Sequence, residues 1–224
     1  MKVLILGALE KEISVLNKLL EVKEKTDYFY KKMTKNEIFT ATVGVGIINA
    51  LSSTYSLIDN IHPDIVINIG TAGASSLDIN DGDIIICDEA IYNGGYILNN
   101  FASSQFETVE ETNLIIKGNE EFSQLIDQAN LNATFYHGKT LSGDFFIKNT
   151  KIINALKDKY HHICEDMETI GIYKACQEKK TPCIAYRIIS NNELRGTLYS
   201  DNVLIVNEKL QTIIFDFLNY LESL

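Results

Sequence analysis

Two acidic stretches carry the side chains best suited to breaking a bond. The first is Cys164-Glu165-Asp166-Met167-Glu168-Thr169, which sets three acids around one methionine at the mouth of an apolar segment, residues 170–176. A carboxylate there either caps a helix start, where the dipole favours it, or faces a pocket. The residues alone leave both readings open. The next apolar segment, residues 183–189, ends in Ser190-Asn191-Asn192-Glu193. Polar groups at that strand end can face the same pocket as the helix start. The second stretch is Glu10-Lys11-Glu12, just after the turn Gly7-Ala8. First-turn acids complement a helix dipole. Directly after a strand and a glycine turn they also lie at the carboxyl edge of a sheet, where α/β enzymes keep their sites.

The elements that must position these acids follow from the hydrophobic pattern. Residues 2–6 predict a buried strand, and Ile13, Leu16, Leu19 and Leu20 predict a helix from about Leu9. Residues 28–30 and 37–43 predict two more strands, then Gly44-Val45-Gly46 and a helix over 47–57. Residues 64–68 predict a short strand stopping at a glycine-rich corner, 69–74. Strands over 84–87 and 133–138, helices over 120–129 and 150–156, and a last helix over 202–221 complete the pattern. Strands alternate with helices and no repeat or linker interrupts them. The expectation is one α/β domain, residues 1–224, with helices on both sides of a mixed or mostly parallel sheet. The adjacent Phe145 and Phe146 fit a core better than an open slot. Residues 92–118 predict a polar loop with too many aromatics to be wholly solvated.

Composition narrows the function classes. A chain of 224 residues with 46% hydrophobic content can bury a full core. Its net charge of −10 repels phosphate backbones, which argues against nucleic acid as a partner. Cys87, Cys164, Cys176 and Cys183 form no CxxC pair and lie in or beside apolar runs, as buried reduced thiols would. The pair His161-His162 reads as a helix-to-strand junction, and no metal-ligand spacing appears. Gly44-Val45-Gly46 lacks the third glycine of a dinucleotide fingerprint and the Lys-Ser/Thr of a P-loop. With no signal-peptide pattern and no membrane-length apolar run, the expected location is cytoplasmic, without a membrane partner.

Several segments taken together resemble the methylthioadenosine/S-adenosylhomocysteine nucleosidases, within the wider nucleoside phosphorylase family. They are residues 7–12, Gly44-Val45-Gly46, Asn68-Ile69-Gly70-Thr71-Ala72-Gly73, Gly82-Asp83-Ile84, Ser142-Gly143-Asp144-Phe145-Phe146, Asp166-Met167-Glu168 and Arg187-Ile188-Ile189-Ser190. The resemblance implies a three-layer α/β/α sandwich around a mixed, partly closed sheet. It implies hydrolysis of the N-glycosidic bond of 5'-modified adenosines by a homodimer without cofactor or metal. Glu12 would activate the attacking water, with Thr71 and Arg187 helping to place it. Glu168 would grip the ribose 2'-hydroxyl and steady positive charge on the sugar, above Met167. Phe146 would stack on the base and Ile147 would offer it backbone contacts. Leu9 and Val45 would line the 5'-end, and Asp166 and Ser190 complete the substrate-binding set. Phe101 or Phe106 of a partner subunit would close the pocket.

One position departs from the family. An aspartic acid normally follows the Arg-x-x-Ser segment to protonate N7 of adenine, and this chain has Asn191. An amide donates a hydrogen bond but delivers no proton. Asparagine there resembles the 6-oxopurine enzymes, including futalosine hydrolases, so the alternatives are a 6-oxopurine nucleosidase or a nucleoside-binding protein with impaired turnover. Phosphorolysis fits less well, because the family's phosphate-holding arginines are absent and the acids at residues 10–12 would repel phosphate.

Overall fold

Apolar runs build the long strands that bring the two acidic stretches together. The computed structural model describes residues 1–92, 94 and 114–224. Its strands are β1 (Lys2–Gly7), β2 (Lys23–Glu24), β3 (Phe29–Lys32), β4 (Glu37–Thr42), β5 (Ile65–Ala74), β6 (Ile84–Tyr92), β7 (Ile115–Lys117), β8 (Phe135–Ser142), β9 (Cys164–Asp166) and β10 (Cys183–Asn191). The helices are α1 (Ser14–Leu20), α2 (Ile47–Ile61), α3 (Glu120–Gln128), α4 (Thr150–Tyr160), α5 (Thr169–Lys179) and α6 (Tyr199–Ser223).

The sheet runs β10-β6-β8-β9-β5-β1-β4-β3-β2, and β10 also pairs with β5. That extra pairing closes five strands into a ring, and β1, β4, β3 and β2 extend from it as an open flange. β5 pairs parallel with β1 and β10 but antiparallel with β9, so the sheet is mixed. Alternation along β1 shows the layering. Leu4 and Leu6 pack with Leu57 and Ile61 of α2 and Ile172 and Cys176 of α5. Val3 and Ile5 pack with Leu16 of α1, Ile126 of α3 and Phe217 of α6. Each such fully buried aliphatic contributes about 1.5–3 kcal/mol. The expected three-layer, partly closed α/β/α architecture is therefore present. All four cysteines are buried and free. Among the described residues, no helix is long and apolar enough to cross a membrane.

The differences from the sequence reading cluster at the acidic stretches. β5 does not stop at Asn68 but continues through Gly70-Thr71-Ala72-Gly73 to Ala74, because β10 pairs with it along that length. The helix expected from Leu9 is a 3-10 turn, Glu10–Glu12, followed by α1 from Ser14. That turn folds Glu12 back over the end of β1. Phe145 and Phe146, expected in the core, are 36% and 44% exposed. They follow the end of β8, where the chain has left the sheet. Tyr96, Phe101 and Phe106 lie outside the described residues.

Candidate active site

The site begins with an arginine buried where β10 and β5 run side by side. Arg187 is wholly inaccessible. Its Nη2 donates to Asn68 Oδ1 at 2.6 Å and to Thr169 Oγ1 at 2.9 Å, and its Nε lies 3.2 Å from Asp166 Oδ2. Asp166 is held on every side. It accepts from the hydroxyls of Thr140, Ser142 and Thr169 and from the backbone N–H groups of Glu168 and Thr169. Burial opposes its ionisation, but Arg187 and these donors prevail and hold its pKa below the usual carboxylate value. Burial likewise opposes the charge on Arg187, and Asp166, Glu168 and Glu12 outweigh it, raising the arginine's pKa.

Glu12 and Glu168 stand on this base. Glu12 is 5% exposed; its Oε2 accepts from the backbone N–H of Ala8 at 2.7 Å and of Leu9 at 3.1 Å. Its Oε1 accepts from Thr71 N–H at 3.3 Å. Gly70 makes this possible: a Cβ there would lie 3.0 Å from Glu12 Oε1 and would strike Arg187 Nη1. Any side chain would thus push the acid and the guanidinium away from the sheet. Arg187 Nη1 has no hydrogen-bond partner among the described residues.

Glu168 Oε2 is 3.8 Å from Arg187 Nη2, and its Oε1 accepts from Gly46 N–H at 3.1 Å. Its pKa is pushed up to about 7. Burial is the main cause, reinforced by Asp166 and Glu12 and opposed by Arg187 and the Gly46 N–H. Gly46 adopts φ +92°, a conformation that suits glycine, and this turns its N–H toward Glu168 at the start of α2. The next N–H, of Ile47, donates to Asp144 Oδ1 at 2.7 Å. The protein's own carboxylates therefore occupy the positive end of α2, a place where such helices can bind phosphate.

Above these acids lies a cavity of about 400 Å³. Glu12, Thr71 and Glu168 line its floor, Leu9 and Val45 its outer rim, and Met167, Phe146, Ser190 and Asn191 the remaining wall. A side recess of about 30 Å³ continues between Phe146, Gly73 and Asn191, with Ile147 and Glu193 in its lining. Asn191 is 1% exposed; its Oδ1 accepts from Ser190 Oγ at 2.9 Å and its Nδ2 reaches Glu193 Oε1 at 3.4 Å. The amide orientation follows, since a carboxylate accepts only and must face the nitrogen.

Eleven of the twelve residues nominated from sequence line the cavity or its recess. Arg187 lies beneath, holding the acids rather than facing the space. Asp166 contributes to the wall, but its oxygens are spent on the protein. Lys148 and Tyr199 also line the cavity and were missed. Lys148 Nζ stands 5.9 Å from the centre of the Phe146 ring, and Tyr199 Oη accepts from Lys11 Nζ at 2.9 Å. Neither carries a motif signal. Only the path of the chain after β8 and the start of α6 brings them in.

The phosphorylase superfamily profile matches residues 2–219. The chain belongs to the phosphorylase superfamily. A 5'-methylthioadenosine/S-adenosylhomocysteine nucleosidase of Staphylococcus aureus is 31% identical over 199 residues, 84% of this chain and 85% of that protein. At that identity and coverage, this superfamily member also belongs with the nucleosidases. Among solved structures, futalosine hydrolase of Helicobacter pylori superposes with a TM-score of 0.85 at 18% identity, covering 98% of each chain. The methylthioadenosine/S-adenosylhomocysteine nucleosidase of Campylobacter jejuni gives 0.85 at 20% identity, covering 100% of each. These two likenesses establish the superfamily fold, and the fold accommodates both names equally.

Proposed function

We propose that this chain hydrolyses the N-glycosidic bond of 5'-methylthioadenosine/S-adenosylhomocysteine-type nucleosides, releasing adenine and the 5-thio-substituted ribose. The observation that carries the reading is that Glu12 and Glu168 open into one cavity, joined beneath by Arg187. The nucleosidase of S. aureus, related along most of its length, supports the substrate class.

In the proposed reaction the base stacks on Phe146 in the recess and the ribose lies over Met167. Glu168 accepts from the 2'-hydroxyl and offsets positive charge as the C1'–N9 bond lengthens. The bonding pair leaves with the purine. A water held by Glu12, beside the Thr71 N–H, adds to C1' and gives its proton to Glu12. Asn191 donates a hydrogen bond from Nδ2 to N7, and the departing purine takes its proton from solvent. Neither metal nor cofactor enters this step. Water rather than phosphate is the nucleophile, because the Gly46 and Ile47 N–H groups already serve Glu168 and Asp144.

The same reading takes the protein to be a cytoplasmic homodimer. Ile48 and Tyr55, on α2 beside the cavity rim, are 78% and 40% exposed, an apolar face that a second copy would cover.

Asn191 favours a second reading, hydrolysis of a 6-oxopurine nucleoside such as futalosine, since an amide can donate to both N7 and O6. Incubation with methylthioadenosine, inosine and futalosine, followed by chromatography of the free bases, separates the two. Adenine release supports the first reading and hypoxanthine release the second. Tight binding with no free base makes the protein a nucleoside binder. Asn191→Asp should speed adenine release about 10²–10⁴-fold, the usual worth of a placed proton donor.

A further inference from the structure

Glu165 is the acid that the proposed reaction leaves unused. It pairs in register with Gly73 across β9 and β5 and lines both the cavity and its recess. Its side chain is 16% exposed. Oε1 lies 3.1 Å from His162 Nε2 and 3.2 Å from Ser75 Oγ, which donates to it. Oε2 has no hydrogen-bond partner among the described residues.

His162 decides the sense of this contact. The imidazole is wholly buried and its Nδ1 has no partner. A proton on Nδ1 would be a buried, unpaired N–H, which is costly. The arrangement that avoids it puts the proton on Nε2, donating to Glu165. Glu165 is thus held by two donors on one oxygen, and its other oxygen is left as an acceptor on a residue that lines the recess.

We propose that Glu165 selects purines carrying a 6-amino group. This rests on the reading that Asn191 meets N7, which the adjoining wall of the same recess supports. A Cβ built on Gly73 would lie 3.7 Å from Asn191 Nδ2 and 3.9 Å from Phe146 Cε2, so the recess is narrow where the base edge enters. Next to N7, adenine offers an N–H donor and a 6-oxopurine offers a carbonyl acceptor. Glu165 accepts from the first and repels the second. Asn191 cannot make this choice alone, because Glu193 turns its Nδ2 inward and Ser190 occupies its Oδ1.

Glu165→Gln and Glu165→Leu provide the test, each with adenine and hypoxanthine titrated as free bases and with methylthioadenosine and methylthioinosine as substrates. The glutamine retains an oxygen for His162 and Ser75 and presents an amide donor to the recess. It should shift the adenine-to-hypoxanthine affinity ratio toward hypoxanthine by about ten- to a hundredfold, the worth of a hydrogen bond to a charged group. For the nucleosides the shift should appear in KM more than in kcat. The leucine should lose the preference without reversing it. An unchanged ratio in both variants overturns the assignment of Glu165. If no nucleoside is cleaved by any form, the proposed hydrolysis fails, and the free-base titration still decides Glu165.

Discussion

Two clusters in this molecule set carboxylates around a cation, and they differ chiefly in burial. One is Asp166, Glu168 and Glu12 around Arg187, almost wholly dry. The other lies where α3 packs on β6 and β8. There His137 Nε2 is 2.8 Å from Asp127 and its Nδ1 is 3.2 Å from Asp88, which also accepts from Ser123 Oγ at 2.6 Å. His137, Asp88 and Asp127 are each at least 40% exposed. In the dry cluster, acids of the same type are driven apart: Asp166 is lowered and Glu168 is raised to about 7. In the wet cluster burial works against the charged imidazole, yet the two aspartates prevail and raise the pKa of His137. Water screens the second cluster into a clip between elements. Its exclusion from the first leaves charges strong enough to act on a substrate.

Breaking the dry cluster at its reactive end should have the largest effect. Glu12→Gln should lower kcat for base release about 10²–10⁴-fold while leaving the melting temperature near that of the parent. An equal rate would remove Glu12 from the reaction. Asp166→Ala should cost about 3–5 kcal/mol in urea unfolding, because it strands Arg187 without its closest counter-charge. Asp88→Ala, the matched change in the wet cluster, should cost at most about 1 kcal/mol. Similar losses would show that burial is not what separates the two.

Glu168 sharpens the contrast through pH. Its folded pKa of about 7 exceeds the ordinary 4.5, so the folded state holds an extra proton between those values. Stability should therefore fall as pH rises through that window, by about 3 kcal/mol from this group. Glu168→Gln should remove that fall and raise the melting temperature at pH 8 relative to the parent, at the expense of turnover. If the carboxylate is the working form, kcat/KM should rise through about pH 7. His137 has the same sign from the opposite cause, a charged form that its neighbours stabilise. Its raised pKa stabilises the fold fully below the ordinary 6.5, and that stability is lost as pH rises through the folded value. His137→Gln should cost about 0.5 kcal/mol at pH 5.5 and nothing at high pH. One molar salt should abolish the effect, whereas it should leave the Asp166→Ala loss intact.

The wet cluster was invisible in the sequence. His137 is one polar residue within the strand expected over 133–138, and no motif marks Asp88 or Asp127. Nothing in their spacing joins residues 88, 127 and 137; the parallel pairing of β6 with β8, and the packing of α3 beside it, do. The dry cluster was half legible. Asp166-Met167-Glu168 and the Arg187 strand signalled a site, and so did the turn before Glu12. The roles within it were not legible. Asp166 and Glu168 are two residues apart and read alike, yet one has its oxygens spent on three hydroxyls and the other meets a helix start at the cavity. The residues alone placed Phe146 in the core for a related reason, whereas the resemblance placed it against the base. Adjacent aromatics resemble core until the end of β8 is known.

By itself the sequence determined the alternation of strands and helices, the two-sided core and the motifs that mark the superfamily, because these rest on local periodicity and short spacing. It also determined the Asn191 departure, which any reading of the chain must meet. Tertiary structure alone decided which acids share a cavity, which is saturated and which lines the side recess. Those outcomes depend on burial and on partners brought from β5, α2 and β10, and desolvation is a property of the assembled neighbourhood, not of a residue type.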